Sequence, residues 1–437
     1  MKRRSAPLLA EPIEPQGVGP TGELFFGPLA VRQKSLAGKG GPAPRRPWKT
    51  ALLSVLLLGC SSLGLSPRPS EIGGVTMAQD TFVAPQAVLR VRWSRPLVLK
   101  TAFFAYNPQE FATAAVSPDG QTVFVGSSAK VLYALRYRDG EVLWQHQLTG
   151  GLASEPLYVP AGEVSSEPLL LVGDDDGTLS ALSPKTGEVR WTAQLSGPIR
   201  TQPTVAGGLV YTTTTAGRIY AHKLGTGKWV WQYERETPDG FAIRGGSGAL
   251  VVQGRVYVGF PDGYLGCLKA DNGELQWTRQ LSGNATRFTD VDSTPVLVGD
   301  TLYVSCFASG VYALDVKDGS TRWRYDLDAA GQLAADPTGE RIYAASSTQG
   351  LVALDRKGRL LWQQSPSKQG EISAPLVWGR YVLFNAVSSG LLIVDGQSGE
   401  LVQAFNPGQG ASARPTASTR EVYLLSNVGV FFALTQG

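Results

Sequence analysis

Apolar and polar positions alternate in short runs along most of this chain, and the runs recur in a fixed order. Between Ser293 and Leu327, alternation marks Pro295 to Val298, Thr301 to Cys306, Val311 to Val316 and Ser320 to Tyr325, with Gly-bearing turns between some of them. A period of two in runs this short predicts half-buried strands rather than helices. The third run, "VYALDV" from Val311, has counterparts starting at Leu132, Leu179, Ile219, Leu265, Leu351, Leu391 and Phe431, 40 to 47 residues apart. Gly177, Gly217, Gly263, Gly310, Gly350, Gly390 and Gly429 open seven of these strands, as tight hairpins require.

A second signal follows the first. Gly with Trp four residues on occurs at Gly140/Trp144, Gly187/Trp191, Gly227/Trp231, Gly273/Trp277, Gly319/Trp323 and Gly358/Trp362, and degenerates to Gly399/Gln403. The strand at Phe431 lacks such a partner, while "LRVRWSRP" with Trp93 is a Trp strand without a repeat of its own. Joining the two predicts a closed ring. The expected fold is all-β: an eight-bladed β-propeller of four-stranded antiparallel blades over residues 91–437, the N-terminal strand completing the C-terminal blade. The repeat Trp residues are first of all packing residues between blades.

Charge narrows the function. The net charge of +4 rests on residues 1–59, which carry nine Lys/Arg against three Asp/Glu and leave −2 for the remainder. The body of the chain has no Lys/Arg-rich run interleaved with aromatics, so nucleic acid is excluded as a partner. In the leader, Arg45, Arg46 and Lys49 precede the apolar "ALLSVLLLGC", Ala51 to Cys60, which is too short to span a bilayer and reads as a signal peptide. Its end, Leu57-Leu58-Gly59-Cys60, resembles the lipobox of bacterial lipoproteins, which implies a diacylglyceryl group on Cys60. The alternative is a Cys that merely ends an ordinary signal peptide. Ser61 after it implies export to the outer membrane, with residues 60–90 as a flexible tether facing the periplasm. Residues 1–44 are Pro- and Gly-rich without periodicity and read as disordered, or as lying ahead of the true start.

The repeat resembles that of pyrroloquinoline-quinone-like propellers, whose dehydrogenase members imply a quinone, Ca²⁺, adjacent cysteines, a stacking Trp and a catalytic Asp. Cys60, Cys267 and Cys306 are the only cysteines and none are adjacent. Cys267 and Cys306 read as small buried residues, although a disulfide between them is compatible with sequence. His146 and His222 have no metal-ligand spacing. "GDDDG", Gly173 to Gly177, lacks the alternation of a calcium loop and reads as a hairpin turn with an acidic surface. No catalytic, cofactor or metal site is expected.

Function is then expected where the period breaks. Several blades open with Ser/Thr-x-Pro, at Ser154, Thr201, Ser293 and Ser373; Ser247 is related. Counted from the preceding Trp, Ser247 and Ser293 arrive about six residues later than the others, so two adjacent blades carry lengthened connections on one face. These read "ERETPDGFAIRGGSG" and "SGNATRFTDVDSTP". Apolar anchors with Arg and carboxylates suit protein binding, with Arg244 pairing internally to Asp290 or Asp292 as the structural alternative. The two stretches are similar to the BamB family, lipoprotein propellers of the outer-membrane β-barrel assembly machine. That resemblance implies a surface of Phe241, Ile243, Arg244, Asp290 and Asp292 that meets periplasmic domains of the barrel-assembly protein BamA. It also implies a non-enzymatic scaffold without cofactors that serves nascent outer-membrane proteins. Ala249 stands where the family usually has Pro. The alternatives are a propeller lipoprotein with another protein partner and a divergent quinoprotein dehydrogenase.

Overall fold

The structure is a computed structural model that describes residues 88–98, 110–162, 164–235, 246–285, 287–365 and 371–437. The described residues form eight four-stranded sheets and no helix; every strand pairing is antiparallel. Blade 5 shows the pattern: Val296–Val298, Thr301–Cys306, Gly310–Asp315 and Thr321–Tyr325 pair in chain order, close to the runs read from the sequence. Blade 8 is assembled from both ends of the ring. Thr416–Ala417, Glu421–Leu425 and Val430–Gln436 supply three strands, and Leu89–Pro96 supplies the fourth, with Leu89 opposite Gln436. Antiparallel order puts the first-to-second turns of all blades and the third-to-fourth turns of blades 1 to 7 on one face, the turn face. The second-to-third turns and the blade-to-blade connections lie on the other, the connection face.

The second and third strands are almost wholly buried because both of their faces are apolar, whereas fourth strands alternate exposed and half-buried positions. What joins one blade to the next is the Gly–Trp signal. Gly140, Gly187, Gly227, Gly273, Gly319, Gly358 and Gly399 each sit in a third-to-fourth turn at φ of 66 to 77°. A Cβ built on any of them would lie 2.4 to 2.7 Å from the indole of the preceding blade's Trp. The same Trp Nε1–H donates to a carbonyl of that turn at 2.7 to 3.2 Å, from Trp93 to Tyr137 through Trp362 to Gly396. At six of the seven seams an aromatic of the Trp's own blade braces it, Trp191 being the exception: Tyr257, for example, lies 5.9 Å from Trp277 and donates its hydroxyl to Val316 O of blade 5.

The degenerate copy is explained by the closure. Blade 8 has no third-to-fourth turn, because its third strand ends the ring and its fourth begins it; a Trp on blade 7 would have no Gly to rest on. Gln403 stands there instead and clamps the closing strand: Leu89 N–H donates to Gln403 Oε1 at 2.9 Å and Gln403 Nε2 donates to Leu89 O at 2.8 Å. Beside it, Arg92 pairs with the buried carboxylate of Glu421, which also accepts from the Tyr423 hydroxyl at 2.5 Å.

The Ser/Thr-x-Pro residues serve the ring from inside. Gly259 N–H donates to Ser247 Oγ, which donates to Ser293 O, both at 2.9 Å. Ser305 N–H donates to Ser293 Oγ at 2.8 Å, and Asn385 N–H to Ser373 Oγ at 3.0 Å. Thr213 Oγ1, 2.7 Å from that of Thr201, donates to Ser247 O. These hydroxyls tie the connections into blades 3, 4, 5 and 7 to the second strand of the blade and, at Ser247 and Thr213, to the next blade.

Gln403→Ala leaves both Leu89 backbone groups without their partner at a buried position, and is expected to cost about 2–3 kcal/mol in urea unfolding. Gly319→Ala, forced to positive φ with its methyl on Trp277, is expected to cost at least about as much. A melt indistinguishable from the parent for either variant would contradict the seam described here.

Candidate functional site

Fifteen residues separate Glu234 from Leu250 and Gln280 from Val296, against nine between Gln147 and Leu157. The two lengthened connections lead into blades 4 and 5 on the connection face. Phe241, Ile243 and Arg244 lie outside the described residues, as does Cys60. The flanks of the first connection are anchored: Arg235 pairs with Asp262 at 2.6 Å and lies 4.2 Å over the Tyr264 ring.

The second connection is wedged between two hairpin turns. Val291 N–H donates to Phe260 O at 3.1 Å and Thr289 Oγ1 to Pro261 O at 3.0 Å, tying it to blade 4. Phe307 N–H donates to Asp290 O at 3.0 Å, and the Cys306 thiol to Thr289 O at 3.2 Å, tying it to blade 5. Gln332 of blade 6 then takes Asp292 O at 2.6 Å and accepts from Thr294 N–H at 3.1 Å. Gly259 is needed where this segment crosses, since a Cβ there would fall 2.1 Å from Val291 O.

This wedge decides what the acidic pair presents. Asp290 is buried, and Asp292 is partly buried with its Oδ1 enclosed and without a hydrogen-bond partner. Burial first, and the Asp290 charge second, push the Asp292 carboxyl up to about 7. Both carboxyls line a small recess between blades 3 and 4 with Thr213, Ser247 and Phe260. Among its described residues the loop holds Gly283, Asn284, Arg287 and Phe288 out to solvent, and of these Arg287 and Phe288 carry the large side chains. Phe288 is 43% exposed, adopts φ +53°, and sets its ring 6.1 Å from that of Phe307 on the neighbouring turn. A bulky side chain in the left-handed region is a local strain of the kind that gathers at functional loops. The sequence located Phe288 in this loop but gave no reason to rank it above the carboxylates; its backbone angle and its partner Phe307 are visible only in three dimensions.

Elsewhere the ring gives little support to cofactor chemistry. The central cavity, about 770 Å³, is lined by Glu155, Arg200, Gln202, Gln332 and Arg414 among others. Arg200 is engaged by Asp175 at 2.9 Å and Arg414 lies 3.9 Å from Glu155, whose carboxyl is raised chiefly by burial. Cys267 and Cys306 are free thiols in separate strands of one apolar cluster, and burial pushes Cys267 up to about 11. Among the described residues no three His, Cys, Asp or Glu side chains gather as metal ligands. These residues do not fit a quinone and its Ca²⁺. His222 is buried, stacked 6.2 Å from Tyr220. The acidic turn differs from expectation in one respect: Asp174 is buried, not superficial, because its carboxylate accepts from Thr178 N–H at 2.8 Å and Gly150 N–H at 2.9 Å.

The family profile described as "Outer membrane protein assembly factor BamB" matches residues 159–324 and 308–437. The chain belongs to the BamB family. Its similarity to the outer membrane protein assembly factor BamB of Yersinia pestis is 25% identity over 380 residues, covering 85% of this chain and 83% of the relative. Against that of Escherichia coli (strain K12) it is 26% over 352 residues, 79% of this chain and 76% of the relative. The crystal structure of BamB from Moraxella catarrhalis superposes with a TM-score of 0.65 at 22% identity, covering 80% of this chain and all of that one. A quinohemoprotein alcohol dehydrogenase from Comamonas testosteroni reaches 0.60 at 13% identity over 80% of this chain and 76% of its own, a likeness of fold alone. The family is that of an assembly factor and not of an enzyme, and outer-membrane association comes with it.

A raised carboxyl pKa has a defined sign. Asp292 keeps its proton in the folded protein between the unfolded value of 3.8 and about 7, so folding is favoured at the acid end of that window and loses this contribution as pH rises through it. Asp292→Asn is therefore expected to gain melting temperature relative to the parent as pH is raised from about 5 to about 8. A difference between the two proteins that does not change with pH would show that this carboxyl does not titrate there.

Proposed function

We propose that the chain is a scaffold lipoprotein of the outer-membrane β-barrel assembly machinery, tethered through Cys60 and the residues after it as far as 87, since the strand at Leu89 shortens the expected tether of 60–90, and that it docks a BamA-like partner on its connection face and aids insertion of nascent barrel proteins. The observation that carries the reading is the pair of lengthened connections entering blades 4 and 5, one of which is pinned to three blades and holds out Arg287 and Phe288. A loop fixed by its own backbone and by buried carboxyls loses little conformational entropy on binding. Asp290 and Asp292 act in this reading by shaping the loop, while Phe288, with Phe241, Ile243 and Arg244 of the neighbouring connection, supplies contact. The family's name as an assembly factor supports the setting, and the leader sequence supports the periplasm-facing anchor.

The test is a pull-down of detergent-extracted protein, parent against Arg244→Ala, Phe288→Ala and Asp290→Ala/Asp292→Ala, with circular dichroism to confirm folding. The BamA-like partner is expected with the parent and at least about tenfold reduced with folded Phe288→Ala or Arg244→Ala, as hot-spot losses run. Recovery of a different protein by the parent, with no BamA-like partner, makes the chain a propeller lipoprotein serving something else.

A further inference from the structure

The turn face carries an apolar patch with no role in the docking described above. Trp229, at the start of the fourth strand of blade 3, is 61% exposed; Val164 and Val189 are 51% and 46% exposed. The connection that carries Val164 reaches blade 3 and is paired to the strand that carries Val189. Val164 belongs to the long first-to-second connection of blade 2, and it lies against Gly208 and Gly225 of blade 3. Glu167 of the same connection pairs with Arg190 at 2.6 Å, next to Val189. Trp191, two residues after Val189, rests on Gly227, two residues before Trp229. The third-to-fourth turns of blades 2 and 3 add Lys185, Lys223 and Lys228, all exposed and without an ion pair among the described residues, against a single acid, Glu188.

Topology places the start of the closing strand on this face. Fourth strands start on the turn face, and Leu89 starts the fourth strand of blade 8. The preceding segment therefore joins the ring on the face that bears Trp229, opposite the face of Phe288. Val91, 49% exposed, holds in blade 8 the place that Trp229 holds in blade 3, two residues ahead of the seam Trp.

We infer that this patch on blades 2 and 3 is a membrane-contact surface for anionic phospholipid, with Trp229, Val164 and Val189 entering the headgroup region and the three lysines meeting lipid charge. An indole with one polar edge suits a bilayer interface, and each lysine near an anionic surface adds roughly 1 kcal/mol, about a fivefold change in binding. Such a surface is weak alone and adds to a lipid anchor. The inference rests on the membrane association proposed above, but not on the docking partner.

The test uses the full chain with Cys60→Ser, so that no acyl group is attached, and sedimentation with vesicles of phosphatidylcholine alone or with added phosphatidylglycerol. The apolar leader contributes equally to every variant. Sedimentation is expected to rise severalfold with phosphatidylglycerol and to fall with salt. It should drop severalfold in Trp229→Ser and further in Lys185→Gln/Lys223→Gln/Lys228→Gln. Leu360→Ser, an exposed residue at the same strand position in blade 6, should change nothing, and thermal melts should match throughout. Equal sedimentation on both vesicle types, or by Trp229→Ser and its parent, overturns the inference. So does a protein cross-linked at position 229 in place of lipid, which makes the patch a protein-docking surface. Loss of lipid binding here with the BamA-like pull-down intact rejects the membrane surface and leaves the docking reading standing.

Discussion

One contact, an indole laid on a glycine, sets the geometry of the whole ring. The Trp of each fourth strand needs a turn without a Cβ in the next blade, and that turn needs a positive φ, which glycine supplies at least cost. The Nε1 hydrogen bond then fixes the distance and tilt of the pair. Repeated at seven of eight seams, the contact leaves no freedom in blade number: the last blade must find a turn or a substitute for one. A single hairpin of a blade would be marginal in isolation; the seams make the blades one body.

Inside that ring of aromatic locks runs a second ring of buried hydroxyls, and the two act on different parts of the blade. The indoles join outer strands, while Ser247, Ser293, Ser373 and Thr213 hold the connections to the inner half of the sheets. A connection bound in this way cannot swing when it is lengthened. The six extra residues ahead of Ser293 therefore become a fixed projection with buried carboxyls at its root and Phe288 at its edge. Fold and candidate site share the same residues here: Ser293 and Gly259 are at once repeat positions and supports of the loop.

Much of this was legible in the sequence because each repeat position has a local cause. Gly at a hairpin, Gly under an indole and alternating apolar residues are demands of backbone and packing that no partner overrides, so blade number, strand limits and ring closure follow from spacing. The meaning of Gln403 was not legible, since its partners are the backbone atoms of Leu89, 314 residues away. Nor was the burial of Asp290: a carboxylate in a polar loop reads as exposed until the turns on either side are in place. The length of the connection from Pro96 to Ala115 was not legible as an insertion, because it belongs to the closure and has no preceding repeat to be compared with. The long connection of blade 2 that carries Val164 lengthens the spacing from Trp144 to Trp191 to 47 residues, but it lies between the first and second strands, so the distance from Trp144 to Ser154 does not reveal it.

The clamp on Leu89 also has a mechanical side. A pull on the segment ahead of Val88, directed away from the turn face, runs along the axis of the closing strand. Its hydrogen bonds to Val430–Gln436, the two amide contacts of Gln403 and the Gly437 N–H to Val88 O bond are then strained together in shear, not peeled one after another. A ring closed by its first strand would be expected to open easily when tugged by its own leader. Here the direction of that strand makes the same tug one that the closure resists best.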